Sequence, residues 1–140
     1  MGKLIFIGLG LGNEQGITLK GLESARACDI LFMENYTSVL EGGSVRRLEK
    51  LLDKEIRVLD REGVENESRV VEAAESSNVG FLVPGDAMSA TTHVDLRLRA
   101  NAVGIDVEVI HGVSVFTAIP GLLGLQNYKF GRTITIPLPE

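Results

Sequence analysis

The stretch that decides the fold is Val79-Gly80-Phe81-Leu82-Val83-Pro84-Gly85-Asp86-Ala87-Met88-Ser89-Ala90-Thr91-Thr92-His93. Phe81, Leu82 and Val83 form a continuous apolar run between Gly80 and Pro84, the pattern of a strand buried on both faces of a parallel sheet. Pro84 has no amide with which to continue the ladder, so the strand stops there. Gly85 tolerates backbone angles closed to other residues and permits a sharp turn. Asp86 then stands just past the carboxyl end of the strand, the edge at which open α/β sheets bind ligands. Thr91 or Thr92 suits the N-cap of a following helix. Asp86 either satisfies the amides of its own turn or serves a ligand, and the local pattern alone favours the first.

Working outward, Leu4–Ile7 reads as an interior strand. The loop Gly8-Leu9-Gly10-Leu11-Gly12-Asn13 follows it. A dinucleotide fingerprint fits this loop poorly. The sixth position of the motif falls on Asn13 counted from Gly8, or on Gln15 counted from Gly10, and the next helix opens only near Thr18, too late to meet a pyrophosphate. Leu19, Leu22 and Ala25 are expected on one face of that helix. The glycines suit close backbone packing and ligand contact equally well. Asp29–Met33 is the second strand. Glu34 at its end stands where a ribose-binding acid would sit, which keeps a nicotinamide alternative open.

Ser44 is the expected N-cap of a short amphipathic helix carrying Val45, Leu48, Leu51 and Leu52. Glu55–Leu59 alternates like an edge strand with one wet face. Asp60–Ser77, rich in Glu and Ser, reads as a surface helix with a narrow stripe of Val70, Val71 and Ala74. After the Pro-Gly-Asp turn, Val94, Leu98 and Ala102 mark the expected inner face of the next helix, and Gly104 its stop. Asp106–Ile110 is the fifth strand. His111-Gly112-Val113-Ser114 turns into a short helix over Val115–Leu123, interrupted by Pro120 and Gly121. Thr133–Ile136 is expected as a last short strand, and Pro137-Leu138-Pro139-Glu140 as the start of a linker. Strands alternating with helices predict an α/β layered domain with a mostly parallel sheet of about five strands.

With 140 residues the chain makes one domain able to bury a core. A hydrophobic content of 44% and charged content of 24% are those of ordinary globular proteins. The net charge of −5 argues against nonspecific nucleic-acid binding. A lone cysteine, Cys28, excludes an internal disulfide and reads as a small core residue. No apolar run reaches membrane-spanning length and no signal-type segment opens the chain, so the cytoplasm is the expected compartment. His93 and His111 have no partner spacing for zinc, and no metal-ligand cluster or Gly-x-Ser-x-Gly elbow is present.

Pro84-Gly85-Asp86 with Ala90-Thr91-Thr92-His93 closely resembles the diphthine synthases, a branch of the tetrapyrrole-methylase-like class of S-adenosylmethionine-dependent methyltransferases. Gly8-Leu9-Gly10-Leu11, Ile17–Glu23, Glu34-Asn35-Tyr36-Thr37-Ser38 and Tyr128-Lys129-Phe130-Gly131 agree with the same branch, in order. The resemblance covers essentially the whole chain, yet family members are substantially longer and carry a second α/β domain. It therefore implies an N-terminal methyltransferase domain over residues 1–136, followed by a linker at 137–140. It implies S-adenosyl-L-methionine as cofactor, elongation factor 2 as the protein acceptor, methylated on the amino group of a modified histidine, and a homodimer. Carried over position by position, it assigns cofactor contacts to Leu11, Asp86, Ser89, Ser114 and Val115, with Asp86 the foremost side chain; it identifies no catalytic base. Relatives often carry an apolar residue where Ser89 stands, so backbone contact is the expectation there. Methylation of a tetrapyrrole or of ribosomal RNA is the alternative within the class, and a non-catalytic dimerising or docking domain the alternative outside it.

Overall fold

The computed structural model describes residues 1–136, so the linker expected at Pro137–Glu140 lies outside the described residues. In chain order the elements are β1 (Lys3–Gly8), α1 (Leu19–Ala27), β2 (Ile30–Glu34), α2 (Ser44–Leu52), β3 (Ile56–Leu59), α3 (Arg61–Glu65), α4 (Arg69–Ser76), β4 (Asn78–Val83), α5 (His93–Ala102), β5 (Asp106–Ile110) and α6 (Val115–Leu122). Two 3-10 turns, Glu14–Gly16 and Asn127–Lys129, complete them. The strands form one five-stranded sheet in the order β3-β2-β4-β1-β5, and every pairing is parallel.

Parallel strands covered by helices on both faces must be apolar on both faces. Two cores follow. On one side Phe6, Phe32, Phe81 and Val83 pack with Val64, Val70, Val71, Ala74, Leu96 and Ala100 from α3, α4 and α5. On the other, Ile7, Leu31, Met33 and Leu82 pack with Ala25, Leu48 and Leu52 from α1 and α2. Phe6 and Phe81 face each other in register across β1 and β4 and meet edge to face at 5.7 Å.

Strand order determines where a ligand can bind. From β1 the chain moves toward the β3 side, and from β4 it moves to β5 on the opposite side. The reversal falls between β1 and β4, so the loops leaving these neighbouring strands diverge at the carboxyl edge. That is the topological switch point of an open α/β sheet.

Several expectations need correction. The inner face of α5 is His93, Leu96 and Ala100, whereas Val94 and Leu98 are half or more exposed. The helix has two competing stripes, and the buried polar anchor at His93, invisible to hydropathy, selects its phase. In α1, Gly21 and Ala25 are buried while Leu19 is exposed. Gly43, with φ 78°, is the N-cap of α2; Ser44 is its first residue and is buried. Edge strand β3 has no wholly wet face, because Ile56 enters one core and Leu59 the other. Asp60–Ser77 is two helices, α3 capped by the Asp60 carboxylate on the Gly63 amide and α4 after a break at 66–68. Pro120 does not interrupt α6, which runs on to Leu122. Thr133–Ile136 forms no strand.

Candidate functional site

Three loops leave the sheet around the switch point, after β1, β4 and β5, and glycine lets them touch. Gly10 and Gly85 exchange two backbone hydrogen bonds, 3.1 and 2.8 Å, an isolated antiparallel bridge between the first loop and the Pro-Gly-Asp turn. Both have positive φ, 70° and 73°. A Cβ on Gly8 would stand 2.5 Å from the Gly112 nitrogen and 2.7 Å from the Gly85 oxygen; one on Gly112 would stand 2.5 Å from the Gly85 oxygen. Gly8 and Gly10 thus pack backbone on backbone, whereas a Cβ on Gly12 would meet nothing within 4 Å.

Asp86 staples the same junction. It is 7% exposed, and both carboxylate oxygens are engaged. Oδ1 accepts the Met88 amide at 2.9 Å and the Ser89 hydroxyl at 3.4 Å. Oδ2 accepts from the His111 ring through Nδ1 at 2.8 Å and from the Gly112 amide at 3.2 Å. Burial pushes this carboxyl up, but the Met88 amide, the His111 ring and the Gly112 amide outweigh it and hold it below its ordinary range. The Asp86 side chain thus both satisfies its own turn and ties the β4 loop to the β5 loop. His111 is exposed over 74% of its side chain. With Nδ1–H bound to Asp86, its Nε2 has no protein partner among the described residues and can accept a proton.

The remaining predicted positions lie around this staple. Leu11, half-buried, sits on the first loop just past the Gly10 bridge. Ser89 is half-buried and turned toward Asp86. The Ser114 hydroxyl accepts the Phe116 amide at 3.2 Å as the N-cap of α6, and Val115 is 47% exposed. Beyond it Phe116, Ile119, Pro120 and Phe130 line an open apolar groove of about 310 Å³.

A second polar cluster ties the β2 loop to this edge. Glu34 is fully buried, so it cannot hold a ribose, and the nicotinamide alternative loses its acid. Its Oε2 accepts the Tyr36 and Thr37 amides at 2.7 and 3.0 Å; its Oε1 accepts the Thr37 hydroxyl and faces His93 Nε2 at 3.4 Å. Burial pushes the Glu34 carboxyl up, but His93 and the donors of Tyr36 and Thr37 outweigh it and hold it low. Sequence reading missed His93 and His111 in these roles, having weighed both only as zinc ligands. The available signal was positional, since each follows directly on a strand or turn at the carboxyl edge.

The sequence profile of the tetrapyrrole (corrin/porphyrin) methylases matches residues 3–138. The chain belongs to this family. The diphthine synthase of Methanosarcina acetivorans is 50% identical over 136 residues, which cover 97% of this chain and 51% of that protein. The diphthine synthase of Methanococcoides burtonii is 52% identical over 138 residues, again 97% of this chain and 51% of the relative. A crystal structure of diphthine synthase superposes with a TM-score of 0.87 at 44% identity, covering 91% of this chain and 51% of that one. The chain thus spans about half the length of the curated relatives it matches. Within this family's domain, the glycine bridge and Asp86 staple stand where the sheet's topology puts a ligand.

Proposed function

We propose that this chain is the glycine-loop half of an S-adenosylmethionine-dependent protein methyltransferase of the diphthine-synthase type. Its acceptor is the amino group of the modified histidine of elongation factor 2. The observation that carries the reading is the conjunction of two facts: about half of all residues agree with diphthine synthases along nearly the whole chain, and the three loops at the switch point are locked together.

The junction fits the cofactor. Gly12 and Gly85 present open main chain at positive φ, with space where a Cβ would stand. Leu11 and Val115 offer apolar contact, and Ser89 contributes backbone. Ser114 fixes the start of α6. Asp86 supplies negative charge beneath a cationic ligand while holding the loops in place. When bound, the cofactor supplies a sulfonium-activated methyl group whose transfer leaves a neutral thioether, so no general acid is required. Catalysis then rests on alignment of the acceptor amine, to which fixed loops contribute directly. The proton lost by the amine has an acceptor in His111 Nε2.

The proposed compartment is the cytoplasm; among the described residues no helix is long and apolar enough to cross a membrane. The open apolar side chains of α6 and the segment after it, Phe116, Leu122, Leu123 and Phe130, favour self-association as a homodimer. Calorimetric titration with S-adenosylmethionine and, in parallel, with NAD tests the cofactor; transfer of labelled methyl to elongation factor 2 carrying the unmethylated intermediate tests the reaction. Binding of the first ligand alone is expected, with little transfer from the chain by itself. Saturable NAD binding with none for S-adenosylmethionine overturns the reading.

A further inference from the structure

Glu34 and His93 form a buried polar pair that the glycine junction does not require. Both are 0% exposed. His93, the first residue of α5, is wedged edge to face between Phe81 at 5.0 Å and Tyr36 at 6.0 Å. Its Nδ1 has no hydrogen-bond partner among the described residues. A leucine or phenylalanine would fill that space without stranding a polar atom, and an unpaired buried nitrogen is destabilising. Packing alone therefore does not explain the histidine; its polar contact is with Glu34. Since a carboxylate only accepts, Nε2 must carry the proton, and Nδ1 is the bare lone pair.

The pair joins two loops that both belong to the carboxyl edge. Glu34 organises the turn after β2 through the Tyr36 and Thr37 amides. His93 closes the segment that begins at the Pro-Gly-Asp turn, which is itself pinned by the Thr91 hydroxyl donating to the Ala87 carbonyl at 2.7 Å. A second bond, between the Tyr36 and Thr92 hydroxyls at 3.2 Å, crosses the same gap. We infer that Glu34 and His93 are a positioning pair, a buried cross-link that sets the β2 loop against the Pro-Gly-Asp loop and through it tunes affinity for the ligand, without touching it. Buried ionisable pairs add little net stability compared with apolar replacements, and their best-attested use is to select one arrangement over others. The part that concerns affinity rests on the function proposed above; the part that concerns the loops does not.

Three variants separate these roles. His93→Leu removes the donor and fills the space, His93→Gln places an amide nitrogen near the Nε2 position, and Glu34→Gln replaces the acceptor. In the wild-type chain, nitrogen-15 NMR of the imidazole should report the Nε2–H tautomer, and Glu34→Gln should switch it to Nδ1–H. His93→Leu leaves the buried Glu34 carboxylate without its partner and should lower the melting temperature, while hydrogen exchange quickens at the Tyr36 and Thr37 amides more than at the amides of the central strands β1 and β4. Its affinity for S-adenosylhomocysteine should fall roughly 2- to 30-fold, the range for residues that act on a site without contacting it. His93→Gln should restore most of it. Unchanged exchange in His93→Leu, or an Nδ1–H tautomer in the wild type, overturns the cross-link. Unchanged affinity in a His93→Leu chain with altered exchange overturns the link to the site. A wild-type chain that binds no S-adenosylhomocysteine overturns the functional reading instead, and leaves exchange and tautomer to decide the cross-link.

Discussion

Replacing Asp86 by Asn preserves the shape of the side chain and removes its charge. The carboxylate serves the Met88 amide, the Ser89 hydroxyl, the His111 ring and the Gly112 amide. An asparagine has one acceptor oxygen, so whichever way it lies, a backbone amide loses its partner and faces an N–H₂ group. If the oxygen stays with Met88, the bond lost is that to Gly112. The exposed His111 ring can turn to water or present its other tautomer, so its loss is minor. A hydrogen bond to a charged group contributes about 1.5–3 kcal/mol, and that is the expected destabilisation at neutral pH. The pH dependence follows from the direction of the shift. The folded carboxyl is held below its ordinary value of 3.8, so its contribution is complete above that value and is lost as pH falls through the lower folded value. Urea unfolding followed by circular dichroism, at pH 7 and at several points below 3.8, measures both. The gap between wild type and Asp86→Asn should narrow steadily in acid. A gap under about 0.5 kcal/mol at neutral pH, the scatter of ordinary surface changes, would refute the staple. A gap independent of pH would refute its charged character.

Gly10→Ala should be the most damaging glycine substitution at the junction, because its Cβ would meet the Gly16 oxygen at 2.2 Å and its φ of 70° is strained for any side chain; loss of ligand binding together with a lowered melting temperature is the expected result. Gly80→Ala should cost about 1–3 kcal/mol in chemical denaturation, since its Cβ falls 2.7 Å from a Leu31 methyl and 3.2 Å from the Cys28 sulfur. Burial raises the Cys28 thiol to about 11, so a disulfide reagent at pH 8 should label it only as the protein opens, and labelling as fast in the native state as in urea would contradict its burial. Light scattering should show an apparent mass that rises with concentration, and Leu122→Glu, at a position 87% exposed, should suppress the rise; a strictly monomeric wild type contradicts self-association.

The sheet was readable in the chain because its interior strands are apolar on both faces and end at Pro, Gly or acidic residues. Leu4–Ile7, Phe81–Val83 and Asp106–Ile110 all fall on observed strands. The helix starts near Thr18 and after Ser114 were also readable, and at each a hydroxyl caps the next amides. What could not be read was tertiary. Hydropathy offers α5 two stripes, and only the Glu34–His93 contact, which spans 59 positions in the chain, selects one. Alternation at Glu55–Leu59 predicted a wet face, but β3 at the sheet edge lies against helices on both sides. Asp86 was singled out from its place after the strand, yet its partners His111 and Gly112 lie 25 and 26 positions away, beyond the reach of any local pattern.

The glycines of the first loop look like a nucleotide signature and behave differently. In a dinucleotide fold they clear space for a pyrophosphate that the helix N-terminus attracts. Here Gly8 and Gly112 clear space for each other and for the Gly85 carbonyl, and the following helix starts at Leu19, after a 3-10 turn at Glu14–Gly16. The consequence is mechanical. Each loop at the switch point is fixed by a neighbouring loop rather than by a ligand: first to second through Gly10 and Gly85, second to third through Asp86, and the β2 loop to the second through Glu34 and His93. A site assembled this way presents formed backbone to an incoming molecule before it arrives. That is what the methyl transfer proposed for this site would demand, because no proton need be delivered to the leaving group and the gain must come from geometry. The carboxylates at this edge therefore act by holding the loops, and the chemistry is left to the exposed surface they shape.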